Sequence, residues 1–364
     1  MSNSAIRMYA LNIDQIATAI RTGGNKRTIL VQGHMGTGKS SILKMLAEDL
    51  PNHVPCYFDC TTKDLGDIQL PKLKDLDGKD YVRFATNEEL GVHLGKPLII
   101  MVDEYGKANP SVKLALTGLM QERKIGTSKL HPDTIIFATT NLGSEGVGDL
   151  LPPHARNRMA VVQMRKSTNL EWIEWGISNE IDHTLLGWCK DNPQLFASFE
   201  DIKDPDENPY IYHPQAQRTA FFTPRSAEAA SDWLKQREHF DDQTLTGLLM
   251  GTIGERGAMD LMAFVKLADQ LPSLESIKKD PKNAKVPDSA SAVCMVVYRT
   301  LASLDKEWVN PWMEYMVRLD KEAQGMFANG VRAPKYSKQS MVMTNKKFTD
   351  WAMANNYMFA GDKK

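Results

Sequence analysis

Cysteine is scarce in this chain: four residues, Cys56, Cys60, Cys189 and Cys294, among 364. Only Cys56 and Cys60 are close, and no histidine stands at ligand distance beside them, so their spacing matches no zinc pattern and reduced packing thiols are expected. The eight histidines form no HExxH-type cluster, which leaves a protein-bound metal site unsupported. Long apolar runs are missing too. None approaches the roughly 18 residues of a membrane span, and the opening MSNSAIRMYALNIDQ lacks an apolar core behind positive charge. A cytoplasmic chain without membrane insertion is expected. Net charge is nearly absent, at −1, so bulk electrostatics supply no reason to bind nucleic acid, although a local patch or charged pore stays possible. There is no internal repeat and no long low-complexity segment.

What is present describes a folded protein. The length exceeds the roughly 250–300 residues at which single cores stop growing, so two or more packed units are expected. Hydrophobic content of 42% and charged content of 24% are ordinary for globular chains.

The stretch VQGHMGTGKSS, Val31 to Ser41, stands between an apolar run, TILV, and a helix-like SILKMLAEDL. Its Gly33-x-x-x-x-Gly38-Lys39-Ser40 satisfies the full phosphate-loop pattern, in which glycines permit turns that aim backbone N–H groups at phosphate oxygens. The strand before and the helix after supply the context the pattern needs, because a helix N-terminus adds its dipole and free N–H groups. Candidate ATP-binding residues are therefore Gly33, Gly36, Thr37, Gly38, Lys39, Ser40 and Ser41. Lys39 would meet the β- and γ-phosphates and the Ser40 hydroxyl would ligate Mg²⁺.

Such a loop needs an acidic companion. In KPLIIMVDEYGKANP, Pro97 to Val102 reads as a buried parallel strand that ends in Asp103-Glu104. Asp103 would hold Mg²⁺, directly or through water, and Glu104 would act as general base on the attacking water. An Asp-Glu pair after an apolar strand is by itself an ordinary solvated strand end; downstream of a complete phosphate loop it becomes half of a matched pair. A third strand, Asp133 to Asn141, ends in Asn141 at the same sheet edge, where its amide can orient water near a γ-phosphate. A loop-capping asparagine is the competing reading.

In this order, strand, phosphate loop, helix, VDEY, FATTN, LPPHARNRMAVVQ and FFTPRS resemble an ATPase of the AAA+ superfamily, and most closely the MoxR-type branch that works beside proteins carrying a von Willebrand factor A domain. The resemblance runs from Ile29 to the neighbourhood of Phe327. It implies a three-layer α/β P-loop domain over residues 1–165, an α-helical lid over 166–271, and a connector with extra helices over 272–364. It also implies a homo-oligomeric ring, hexameric in the family, that remodels a protein client.

RNRM falls where the family carries its arginine finger, the cation that reaches a neighbour's γ-phosphate. Arg158 is the first choice and Arg156 the second, and surface ion pairing is the competing account. TPRS resembles the second sensor, which would give Arg225 a role toward the nucleotide of its own subunit or of the neighbour. A Pro-Arg helix start is the plain alternative. Residues 64–95 have the length and position of the helix-2 insertion whose β-hairpin faces the ring pore. DYVRFA reads as a short strand there, with Lys72, Lys74 and Lys79 on a loop. The chain departs from the family pattern at His34-Met35, where relatives carry two prolines, and at Met159, where an aromatic is more common.

Beyond Gln163, two amphipathic helices separated near 179–182 are expected, with Trp172, Trp175 and Trp188 in the core rather than as a base-stacking platform. Two rival functions use the same ATPase core: a nucleic-acid motor or restriction-type translocation subunit, and a nucleotide-gated assembly scaffold.

Overall fold

The computed structural model describes residues 9–142, 158–268, 271–334 and 336–359, and the chain divides into two units, 1–166 and 167–364. In the first unit the elements are α1 (Ile13–Gly23), β1 (Ile29–Gly33), α2 (Ser41–Asp49), β2 (Val54–Asp59), β3 (Gln69–Leu76), β4 (Lys79–Thr86), β5 (Leu98–Asp103), α3 (Pro110–Thr117), β6 (Lys124–Ile125), β7 (Ser128–Lys129), β8 (Ile135–Asn141) and β9 (Ala160–Met164). Five strands form a parallel sheet in the order β2-β5-β8-β1-β9.

Alternation along the central strands builds three layers. Ile135 and Phe137 of β8 pack with Ile16 and Ile20 of α1 and with Ile42 and Leu46 of α2. Ile136 and Ala138 turn to the opposite face, against Val112 and Leu116 of α3. Side chains two apart share a face of a strand, so one apolar run covers both layers. The unit is an α/β P-loop NTPase-type sheet domain, as the sequence implies.

Residues 69–86 differ from expectation. Lys72 and Lys74 lie in β3 and Lys79 in β4, not on a loop. Asp77 and Gly78, both at positive φ (54° and 74°), close a two-residue turn, and Leu76 pairs with Lys79 across it. Asp-Gly accepts this mirror-image turn readily, and its twist matches that of the flanking strands, so both strands run to the tip.

The second unit is helical. Asn169–Ser178 and His183–Asp191 form the expected pair, followed by α-helices from Pro224–Lys235 to Lys346–Ala354. One aromatic-rich core gathers residues from Trp172 to Trp351, with Trp188 edge-on to Phe222 at 5.9 Å and Trp312 edge-on to Phe327 at 5.5 Å. Trp172 and Trp188 are buried as expected, whereas Trp175 is 38% exposed and sits at the rim. Its place near the exposed side of the helix, beside Trp172 at 6.2 Å, accounts for the difference. A short helix, Leu274–Lys279, lies near the start of the region 272–364, which was expected to hold a connector and extra helices. Among the described residues no helix is long and apolar enough to cross a membrane.

Candidate nucleotide site

Because the sheet is parallel, the C-terminal ends of its strands share one edge, and three of them carry the candidate chemistry. β1 ends at Gly33, which pairs with Asn141 at the end of β8. On the other side of β8, Val102 pairs with Ala138, which brings Asp103 beside Thr139. Open α/β sheets bind ligands at this edge, where strands hand over to loops and helix N-termini.

The loop from Gly33 to Ser40 turns through Gly36 (φ 69°) and Gly38 (φ 91°), backbone conformations that any side chain would strain. At Gly33 the constraint is space: a Cβ would come within 3.2 Å of the Met164 Cβ on β9. Thr37 stays inside the loop, its hydroxyl donating to the His34 carbonyl at 2.8 Å. Ser40 is half-buried and immediately precedes α2, whose first helical residue is the exposed Ser41.

Lys39 is 7% exposed, and its ammonium donates to three oxygens: the Gly33 carbonyl at 2.9 Å, the His34 carbonyl at 2.8 Å and Asn141 Oδ1 at 2.7 Å. A buried ammonium is tolerated only when its protons are taken up in this way. The amide nitrogen of Asn141 donates in turn to Glu104 Oε1 at 3.1 Å, and Lys107 Nζ lies 3.3 Å from the same oxygen. Glu104 adopts the left-handed conformation (φ 51°, ψ 37°). For a residue with a side chain this costs about 1–3 kcal/mol, a strain that recurs where a group must be aimed. Its second carboxylate oxygen, Oε2, is buried and meets no hydrogen-bond partner among the described residues.

Asp103 is fixed through both oxygens. Tyr57 donates its hydroxyl to Oδ2 at 2.8 Å, while the Thr139 hydroxyl and the Glu104 backbone N–H (3.1 Å) donate to Oδ1. A carboxylate has about four acceptor positions, so room remains for a further ligand. The donor set suits a hard divalent cation, which takes hydroxyl, carboxylate and water oxygens. Ser40 and Asp103 would hold Mg²⁺, and the unpartnered Glu104 Oε2 fits the proton of a water molecule.

Tyr57, Thr139 and Lys107 are absent from the sequence-based candidates. The signal for Thr139 was its position two residues before Asn141, hence on the same face of β8. Tyr57 stands on β2 beside the acidic strand, but alternation alone does not say that its hydroxyl reaches Asp103.

The arginines are placed less centrally. Arg158 is exposed and donates from Nη1 to Gln121 Oε1 at 3.1 Å. Arg156 lies outside the described residues. Arg225 belongs to the second unit, as the exposed second residue of the helix Pro224–Lys235. Thr223 and Ser226 cap that helix reciprocally and Pro224 occupies its first turn, so TPRS is in any case a helix start. All four cysteines are free and buried.

No family model and no curated protein matches this chain. Among solved structures, the chain is similar to a protein from Cytophaga hutchinsonii provisionally described as an ATPase, at 20% identity and a TM-score of 0.30 over 44% of this chain and 48% of that one. This chain thus spans about half the length of that protein. It is also similar to the RuvB Holliday junction branch migration motor of Thermotoga maritima, at 15% identity and a TM-score of 0.35 over 82% and 85% of the two chains. A point mutant of that RuvB aligns at 15% identity and a TM-score of 0.36 over 78% and 77%.

Proposed function

We propose that the chain is an ATP-dependent ring ATPase of the AAA+ superfamily, resembling the MoxR-type branch, that hydrolyses ATP between subunits to remodel a protein partner. A protein carrying a von Willebrand factor A domain is the partner class the resemblance implies. The observation that carries the reading is the continuous polar link from Lys39 of the phosphate loop, through Asn141, to Glu104.

In this reading, N–H groups from Gly33 to Ser41 cradle the phosphates, and Lys39 exchanges its present oxygens for those of the β- and γ-phosphates. Asp103, held by Tyr57 and Thr139, and Ser40 would hold Mg²⁺, which would supply charge neutralisation on the transferring phosphoryl group. Asn141 fixes Glu104 by one oxygen and leaves Oε2 to take a proton from the attacking water. Arg158 reaches the γ-phosphate of a neighbouring subunit, with Arg156 as the alternative, and the resemblance gives Arg225 a sensor role toward the nucleotide of its own subunit or of the neighbour. Arg158 is exposed, and its described side-chain hydrogen bond goes to the neutral Gln121, with the Glu122 carboxylate in its field.

The test is steady-state ATP hydrolysis together with solution mass, with and without ATP, for the wild type and Arg158→Ala. The expected result is an ATP-driven ring that hydrolyses, and a variant that assembles but turns over at least about a hundredfold more slowly. A monomer that hydrolyses equally well in both forms overturns the proposal.

A further inference from the structure

We propose that the β3–β4 ribbon docks an extended segment of the protein partner edgewise along β4, and that this segment alternates acidic and apolar residues. The inference rests on the partner-remodelling reading and names the chemistry of the partner.

β3 and β4 pair only with each other among the described residues, so the outer edge of each is open. Residues 70–75 and 77–83 are exposed, which leaves both faces of the outer part of the ribbon without cover, whereas Phe84 to Thr86 at its base are half-buried, Phe84 beside Gly126. A lone two-stranded ribbon is marginal in water and gains stability from a third strand or a packing partner. Pro71 removes one N–H from β3, whereas β4 has no proline and offers its edge whole.

The pairing register sorts the side chains. Lys72 faces Arg83 across the ribbon, and Lys74 and Lys79 lie on the same face. None of the ion pairs among the described residues involves these four cations. The other face carries Leu73 opposite Val82, 75% and 50% exposed, with Asp75 opposite Asp80 toward the tip. All four cations therefore lie on one face, which also carries the exposed Leu70 and Tyr81, and the face of Leu73 and Val82 holds no cation.

A strand added to β4 sends successive side chains to opposite faces. Every second residue lies on the cation face, beside Lys79 and Arg83 of β4, and those between lie on the face of Val82, which calls for alternating acidic and apolar residues. Main-chain pairing supplies affinity and the two faces supply selectivity. A nucleic acid fits less well. The ribbon holds four cations and three acids, a net charge of +1, too small for a binding mode dominated by phosphate neutralisation. It would also leave the strand edge and the Leu73–Val82 pair unused.

The probe is a fluorescent peptide of alternating Glu and Val, eight residues long to match β4, measured by anisotropy without nucleotide. The controls are a block isomer of the same composition, an analogue N-methylated at every second residue, and oligothymidylate. The alternating peptide is expected to bind at least about tenfold more tightly than either peptide control or the oligonucleotide. K79E/R83E should lose about tenfold in affinity, while K79R/R83K binds like the wild type.

ATP turnover by the same samples, without peptide, separates the two claims. If no peptide binds while ATP is hydrolysed, the docking inference falls and the ATPase reading stands. If the peptide binds as expected and no ATP is turned over, the ATPase reading falls and the docking surface stands. Tighter binding of oligothymidylate, equal binding of the block isomer, or a change of solution mass on charge reversal, which would mean that ribbons pair between copies, overturns the inference.

Discussion

Lys39 and Glu104 are joined through one side chain: the Asn141 amide accepts from Lys39 Nζ at 2.7 Å and donates to Glu104 Oε1 at 3.1 Å. The cation of the phosphate loop and the carboxylate that follows β5 thus share one orienting side chain.

Replacing Asn141 with Ala should therefore damage turnover more than binding. We expect kcat to fall about 10²–10³-fold, the scale of removing one positioned amide from a site of this kind, with the Kd for ATP changed only a few-fold. Equal losses in both quantities would mean that Asn141 merely supports the loop.

Glu104→Gln should retain ATP and stop hydrolysis, with kcat reduced by about 10²–10⁴. Retention of labelled ATP after gel filtration reads this out directly. Wild-type turnover in the variant would assign the base elsewhere.

Tyr57 tests the support of the acidic strand. Its hydroxyl holds Asp103 at 2.8 Å, while about half of the side chain is exposed, so little packing is at stake. Tyr57→Phe should raise the Mg²⁺ concentration for half-maximal turnover by about tenfold, the lower end of the usual effect of a supporting group. The melting temperature should stay near that of the wild type.

Gly106 packs against the sheet so closely that a Cβ would stand 2.2 Å from Thr140 Oγ1. Gly106→Ala should cost about 1–3 kcal/mol by overpacking, read as a lower denaturant midpoint. Gly106→Ala combined with Thr140→Ala should recover part of the loss, since it removes the oxygen in the way.

The thiols give a pH prediction. Burial, helped by the carboxylates of Asp59 and Asp103, pushes Cys60 from its ordinary value of 9.0 up to about 12. Burial also raises Cys56, Cys189 and Cys294. The folded protein then keeps protons that the unfolded chain releases, so this contribution to stability is complete below pH 9 and is lost as pH rises toward about 12. The unfolding midpoint should decline over that window, and less steeply in Cys60→Ala. A thiol reagent at pH 8 should label the native chain slowly at all four cysteines and the unfolded chain quickly.

How far the sequence led can be followed residue by residue. Lys39, Asp103, Glu104 and Asn141 were legible because each ends an apolar strand or opens a helix in a fixed order, and the sheet then sets them at one edge. Tyr57 and Lys107 were not, because their contacts with Asp103 and Glu104 depend on side-chain reach between strands and around a turn, which local pattern does not encode. Lys72, Lys74 and Lys79 were misplaced because the lysines and aspartates around them look solvated. The Asp77-Gly78 pair was the stronger signal, since it fixes a hairpin register in which charged residues are strand residues with one face of their own.

The order of the strands has a consequence for synthesis. Lys39 and Asn141 are separated by 102 positions in the chain, and β1, which carries the loop, sits between β8 and β9, the last two strands of the sheet to be made. A nascent chain that has released the whole phosphate loop from the ribosome still lacks both neighbours of the strand that holds it. Under the proposed function, ATP would not act as an early template for this domain, and its first productive encounter would wait until β8 has left the exit tunnel.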